Sequence, residues 1–416
     1  MKKHFSAEPK FISVNDTNRT IIKIFFYSKY KRQYNIKNKL MGRILTSCNN
    51  NYRFYKEFEN KKNELLIIDY WIENVKCNDM YITIFSLVIP KEGIITDFKL
   101  EEAIKFFYDS IFNPCVVDDG FEINQFNWEK SYLYDKEKDY PKNIYQYLDE
   151  EVIKIINEKE KTYITHEEYM KMIKQATPKN VYEYYQKVIK NNQFITYIYG
   201  NLDNKDRLLE IYNKYFKQEN KNIEIYMKRI KPLKVDSYKE NTITTNYNQS
   251  VLVLFYQVEN FIKKEQIILE TLYFFLNSRE NDLIYNNLRH KHNLIYTLNM
   301  EFEKNKGFLT IKSYLDKKDI EKAQMIIEQT INQVKVKENF ELYKENLLKA
   351  LKYDMYSAKD NIFNDAIDII EKEVKCNMTL EEKYKQIEKI QIDNMINLID
   401  KLKLTSKLTL IGDKDE

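Results

Sequence analysis

Apolar positions along this chain are spaced in two ways. Thr20–Ser28, Leu65–Glu73 and Met80–Pro90 are short runs rich in β-branched and aromatic residues, which predicts strands. Between and after them the apolar positions spread to helical spacing. Helices are predicted over Lys37–Cys48, the more polar Tyr52–Asn63, Lys99–Phe112, Glu122–Lys136 and Asn143–Glu160. Pro178 in a first turn, with Thr177 before it as N-cap, opens another helix reaching Lys190. A dense apolar run ending at Gly200 closes the series.

The same series then repeats. Ser250–Gln257 reads as a strand, Lys264–Leu276 and Asp282–His290 as helical, and Leu294–Phe302 with Phe308–Leu315 as a hairpin pair. Helices follow over Lys318–Val334, Phe340–Tyr356, Asn361–Val374, Leu380–Gln386 and Ile392–Leu402, before a last strand ends at Gly412. The two closing strings are near copies: Ile195-Thr-Tyr-Ile-Tyr-Gly-Asn-Leu-Asp203 and Lys407-Leu-Thr-Leu-Ile-Gly-Asp-Lys-Asp415, with their glycines 212 residues apart. The chain has only six glycines, so two in this one setting mark a repeat. Leu100-Glu-Glu-Ala103 echoes Ile320-Glu-Lys-Ala323 at a similar offset. A period of this length suits a duplicated domain, not a solenoid unit.

The pattern predicts an α+β protein of two tandem homologous domains, each a mostly antiparallel sheet covered by helices. Residues 1–216 form the first domain and 249–416 the second. The charged, irregular stretch 217–248, with Pro232, reads as a linker region with some extended structure.

Composition narrows the function classes. A 43% hydrophobic and 14% aromatic content over 416 residues fits two globular cores. The 67 basic and 63 acidic residues are interspersed, leaving a net charge of +4 and no clustered basic face for nucleic acid. Apolar runs such as Ile21–Tyr27 are too short to span a bilayer, and the opening Met-Lys-Lys-His-Phe-Ser has no signal-peptide core. Cys48, Cys77, Cys115 and Cys376 stand apart and read as free thiols, so a cytoplasmic setting without a membrane partner is expected.

Several strings carry a more specific message. Leu283-Ile-Tyr-Asn-Asn-Leu-Arg-His-Lys-His-Asn-Leu-Ile-Tyr296 is an amphipathic helix ending in Leu-Arg with a tyrosine seven residues on, and Lys306-Gly-Phe-Leu309 is a glycine-started strand. Asn113-Pro114, an acidic turn and Trp128-Glu-Lys130 follow in order in the first half, and Thr177–Asp203 gives helix, strand and Gly-x-x-Asp. In this order they resemble the insulinase/pitrilysin family of inverted-zinc-motif metallopeptidases, which includes the mitochondrial processing peptidases.

That resemblance implies zinc chemistry in active members. They carry His-x-x-Glu-His on the first helix and a distant glutamate, with the motif glutamate serving as base to the metal-bound water. The matching helix here reads Leu40-Met-Gly-Arg-Ile-Leu-Thr-Ser-Cys48, without histidine or acid. His4, His166, His290 and His292 cannot complete the motif, so neither a metal site nor a catalytic residue is expected in this chain. Glu129 and Glu137, placed where active relatives put their distant acid, then read as a solvated face.

The family also uses an arginine and a tyrosine of the second domain to hold substrate backbone carbonyls. Arg289 and Tyr296 match them in spacing. Two departures are the Asn277–Asn281 turn before the helix and His290 in place of an acid. A missing zinc motif with a retained Arg/Tyr pair resembles the zinc-less subunits of two-chain bacterial members. The resemblance thus implies a non-catalytic subunit of a heterodimeric zinc peptidase, lining a chamber and clamping a peptide substrate through Arg289 and Tyr296. Zinc would sit in a sister subunit. The alternative is a stand-alone pseudoenzyme scaffold or peptide-binding protein without a catalytic partner.

Overall fold

The computed structural model describes residues 2–412, except 141, 142, 220, 221, 229, 279, 280, 362 and 376. It divides into two compact units: residues 1–157, 161–229 and 362–370, and residues 158–160, 230–361 and 371–416. The short segment 362–370 thus belongs to the first unit although it lies late in sequence, and its Phe363 ring meets Tyr199 edge-on at 5.9 Å.

In the first unit, β1 (Lys10–Ser13), β2 (Arg19–Lys29), β3 (Asp69–Cys77), β4 (Met80–Pro90) and β5 (Phe194–Gly200) form one sheet in the order β1-β5-β2-β4-β3. In the second, β6 (Lys239–Thr245), β7 (Ser250–Val258), β8 (Ile295–Glu303), β9 (Phe308–Leu315) and β10 (Leu402–Gly412) take the order β6-β10-β7-β9-β8. The two orders are the same. In each, the closing strand runs antiparallel to the central strand and parallel to a short edge strand. The duplication read from the closing glycines is therefore a duplication of topology.

Each sheet meets its helices through alternate side chains, as a period of two requires. Ile22, Ile24 and Phe26 of β2 and Phe85, Leu87 and Ile89 of β4 share a core with Ile36, Leu40, Met41 and Ile44 of α1 (Asn35–Leu45). Leu252, Leu254 and Tyr256 of β7 and Leu309, Ile311 and Leu315 of β9 do the same with Leu269, Leu272 and Phe275 on the helix Gln266–Asn277.

Gly200 and Gly412 have a shared reason for being glycine. Gly200 has φ +125°, and a Cβ there would lie 2.3 Å from the Arg19 carbonyl oxygen. A Cβ on Gly412 would lie 2.7 Å from the carbonyl oxygen of Tyr247. In both units the closing strand ends pressed against the backbone that leads into the central strand, where no side chain fits. The end of the second string, Asp413 to Asp415, lies outside the described residues, as does Cys376. Cys48, Cys77 and Cys115 are free thiols, the first and last buried.

Several boundaries differ from the sequence reading for identifiable reasons. The expected strand Leu65–Glu73 begins only at Asp69. Leu65 and Ile67 instead close the helix Tyr55–Glu64: both are buried, Leu66 turns left-handed at φ 54°, and Leu66 and Ile67 donate back to the carbonyls of Asn63 and Lys62. The 217–248 stretch holds two strands: Asn222–Tyr226, paired with Lys2–Ser6 in the first unit, and β6 in the second. The amphipathic helix Lys205–Phe216, which buries Leu208, Ile211, Tyr212 and Phe216, had no counterpart in that reading.

Candidate functional site

The stretch Leu40–Cys48, which the resemblance sets against the zinc motif, lies largely on α1. That helix turns its apolar stripe to the sheet and leaves Arg43 at the margin. The facing helix, α2 (Ile123–Glu137), begins with Glu122 accepting from the backbone N–H groups of Asn124 and Gln125, an N-cap. Arg43 Nε donates to Glu129 Oε2 at 2.6 Å, and Gln125 Nε2 donates to Glu129 Oε1 at 3.1 Å and to Ser47 Oγ at 2.9 Å. The Arg43 guanidinium also lies over the Tyr132 ring, 4.0 Å from its centroid. Glu129 is only 4% exposed. It is not a solvated residue, as the sequence suggested, but a buried carboxylate neutralised by Arg43. Glu137 is half-buried.

This donor set does not fit Zn²⁺. A metal needs deprotonated nitrogen, sulfur or carboxylate ligands, and α1 presents a permanent cation to Glu129. The missed signal was Arg43 itself, the one charged residue within Leu40–Cys48, facing a helix that carries Glu129.

In the second unit, Arg289 sits in a π-helical turn, Asn286–Lys291, that follows the short helix Leu283–Tyr285. Ile284 and Leu288 are fully buried, and Asn287 Nδ2 donates to Thr330 Oγ1 at 2.8 Å, so the turn is fixed from beneath. Asn293, left-handed at φ 51°, turns the chain into β8. Arg289 Nη1 donates to Asn293 Oδ1 at 3.0 Å and to the Ile295 carbonyl at 2.9 Å. Tyr296 is 49% exposed, and its hydroxyl donates to Asp316 Oδ1 at 2.6 Å. The fold brings both residues to the start of β8, an edge strand. His290 packs edge-on against the Tyr285 ring and His292 is exposed. His166 follows Thr165, whose capping box with Glu168 starts an ordinary helix.

Fold and sites together describe a tandem α+β protein with an ion pair on the helix that the sequence resemblance sets against the zinc motif. Residues 175–347 match the family described as the Peptidase M16 inactive domain, a span that includes Arg289 and Tyr296 but not α1. Over 273 residues the chain is 22% identical to the probable inactive metalloprotease YmfF of Bacillus subtilis (strain 168). That alignment takes in 62% of this chain and 61% of the relative, so it spans about three-fifths of the relative's length. Among solved structures, a conserved protein from Enterococcus faecalis V583 superposes with a TM-score of 0.80 at 17% identity, covering 100% of this chain and 99% of that one. A protease from Helicobacter pylori gives 0.69 at 13% identity, covering 99% and 100%. A peptidase M16 inactive domain from Pseudomonas fluorescens also gives 0.69 at 13%, covering 99% and 98%. These structures share the fold. The chain thus resembles the inactive M16-type peptidases, by the family match over residues 175–347 and by its fold, which bears out the insulinase/pitrilysin resemblance and the two-domain α+β class. Among the described residues no helix is long and apolar enough to cross a membrane.

Proposed function

We propose that this chain is the non-catalytic subunit of a heterodimeric, cytoplasmic zinc peptidase, whose zinc is bound by a sister subunit. In this reading Arg289 and Tyr296 hold the backbone carbonyls of a peptide substrate. Guanidinium and phenol are strong donors that fix a carbonyl without reading side chains. The observation that carries the proposal is the contrast within one chain: an ion pair occupies the zinc-helix position, while two donors stand at the start of an edge strand. The inactive character of the family match and of the Bacillus relative supports it.

The test is co-purification with a chain of similar length bearing His-x-x-Glu-His, followed by peptide turnover of the pair. Arg289→Ala should lower turnover by roughly a hundredfold, the scale of a misplaced substrate, with assembly intact. Unchanged cleavage in both Arg289→Ala and Tyr296→Phe would sink the clamp, and failure to find a zinc-bearing partner would sink the subunit reading. One observation favours the alternative of a stand-alone scaffold or peptide-binding protein. Both donors already bond acceptors of their own chain, Ile295 O and Asp316.

A further inference from the structure

Arg43 is only half used. A guanidinium offers two bidentate edges, one through Nε and one between Nη1 and Nη2. Glu129 takes the Nε edge and Tyr132 covers one face. Among the described residues, Nη1 and Nη2 make no hydrogen bond within the chain. The Arg43 side chain is 37% exposed, so this edge meets solvent. The Tyr132 ring beside it is 49% exposed, and on the same helix Trp128 is 71% exposed. The two rings stand one helical turn apart, on the same face of α2. A single exposed aromatic needs no explanation. An exposed Tyr against an arginine with an open bidentate edge, and an exposed Trp one helical turn from that Tyr, together have the composition that dominates binding hot spots.

We infer that the Arg43–Tyr132–Trp128 corner of the first unit is a docking point for a peptide carboxylate. Charge complementarity selects that occupant. The open edge has the geometry of a carboxylate's two oxygens, and Glu129 already fixes the guanidinium plane, so little side-chain freedom is lost on binding. Glu129 also balances the arginine charge, so attraction is short-range and depends on the two parallel hydrogen bonds. The aromatic rings give the residues next to the carboxylate an apolar surface to lie on. The carboxylate can come from a chain terminus or from an acidic side chain.

The chain has two tryptophans, Trp71 and Trp128, so Trp71→Phe leaves Trp128 as the reporter in the full-length protein. Three probes are titrated: acetyl-tetra-alanine with a free C-terminus, its C-terminal amide, and an amide-capped version with one internal glutamate. The free acid should shift Trp128 emission saturably, with the neutral amide at least about fivefold weaker. An internal-glutamate peptide that matches the free acid identifies any carboxylate as the ligand, and one that behaves as the neutral amide identifies the chain terminus. Arg43→Lys keeps a cation opposite Glu129 but loses the bidentate edge, and should weaken binding by about fivefold at an unchanged circular dichroism spectrum. Tyr132→Leu leaves the ion pair in place and should weaken binding in the same direction. The inference is overturned by equal binding of acid and neutral amide, by no saturable response up to about 10 mM, or by unchanged affinity in both variants. No sister subunit is present in these titrations, so their failure and that of the Arg289–Tyr296 clamp are separately visible.

Discussion

Two arginines in this chain show how differently one residue type can be set. Arg43 lies against a carboxylate that is 4% exposed and that also accepts from Gln125, with the Tyr132 ring over one guanidinium face. Arg289 lies on a surface turn and reaches a side-chain amide and one backbone carbonyl. The first has become part of the core's electrostatics. The second is held in place by its own chain with its Nε and Nη2 left over, since among the described residues only Nη1 is bonded. A helix without zinc ligands at this position need not leave a gap: a charge pair fills the space between α1 and α2.

The comparison breaks most easily at Arg43. Replacing it with alanine leaves Glu129 buried without its cation, and removing one partner of a buried pair costs about 3 kcal/mol or more. Urea unfolding followed by circular dichroism measures this directly. The double variant Arg43→Met, Glu129→Gln should recover most of the loss, because it removes the orphaned charge along with the pair. If Arg43→Ala is neutral, Glu129 is reaching water and the corner is not closed.

Arg289→Ala should cost about 1 kcal/mol or less by the same measurement, the net worth of hydrogen bonds at a half-exposed site. A loss as large as that at Arg43 would mean that Arg289 braces the turn, not a substrate. Tyr296→Phe removes one hydroxyl from an exposed bond to Asp316 and should shift stability by less than about 0.5 kcal/mol. That expectation sharpens the functional test, because any larger fall in turnover by the pair then belongs to substrate handling.

What was legible in the sequence follows from how local its cause is. Strands β2, β4, β7 and β9 declare themselves because β-branched and aromatic residues crowd into them, and the Thr177 cap was readable because capping needs only neighbours three residues apart. The closing glycines gave the duplication, and the reason for them, contact with Arg19 and Tyr247, is a tertiary one. Lys10–Ser13 and Lys239–Thr245 escaped notice because short polar edge strands are defined by the neighbour they pair with. Arg289 and Tyr296 were singled out only through spacing borrowed from a family resemblance. Arg43–Glu129 was missed because two residues 86 apart become a pair only when α1 and α2 pack.

Lys306 gives the smallest effect and the clearest contrast with Arg43. It is 2% exposed, with Glu160 at 3.9 Å. Burial lowers its pKa below the ordinary lysine value, and Glu160 and Glu303 offset only part of that. An arginine cannot escape burial by losing its proton, whereas a lysine can. Below its folded pKa, Lys306 is charged in both states and the folded state bears the whole burial cost. Between the folded pKa and the unfolded value near 10.5 the unfolded chain holds more protons, so stability rises with pH across that window. Urea midpoints measured from pH 8 upward should therefore drift higher relative to a Lys306→Met variant, which lacks this proton. Parallel curves for the two proteins would mean that Lys306 has the same pKa folded and unfolded, its acids offsetting the whole cost of burial.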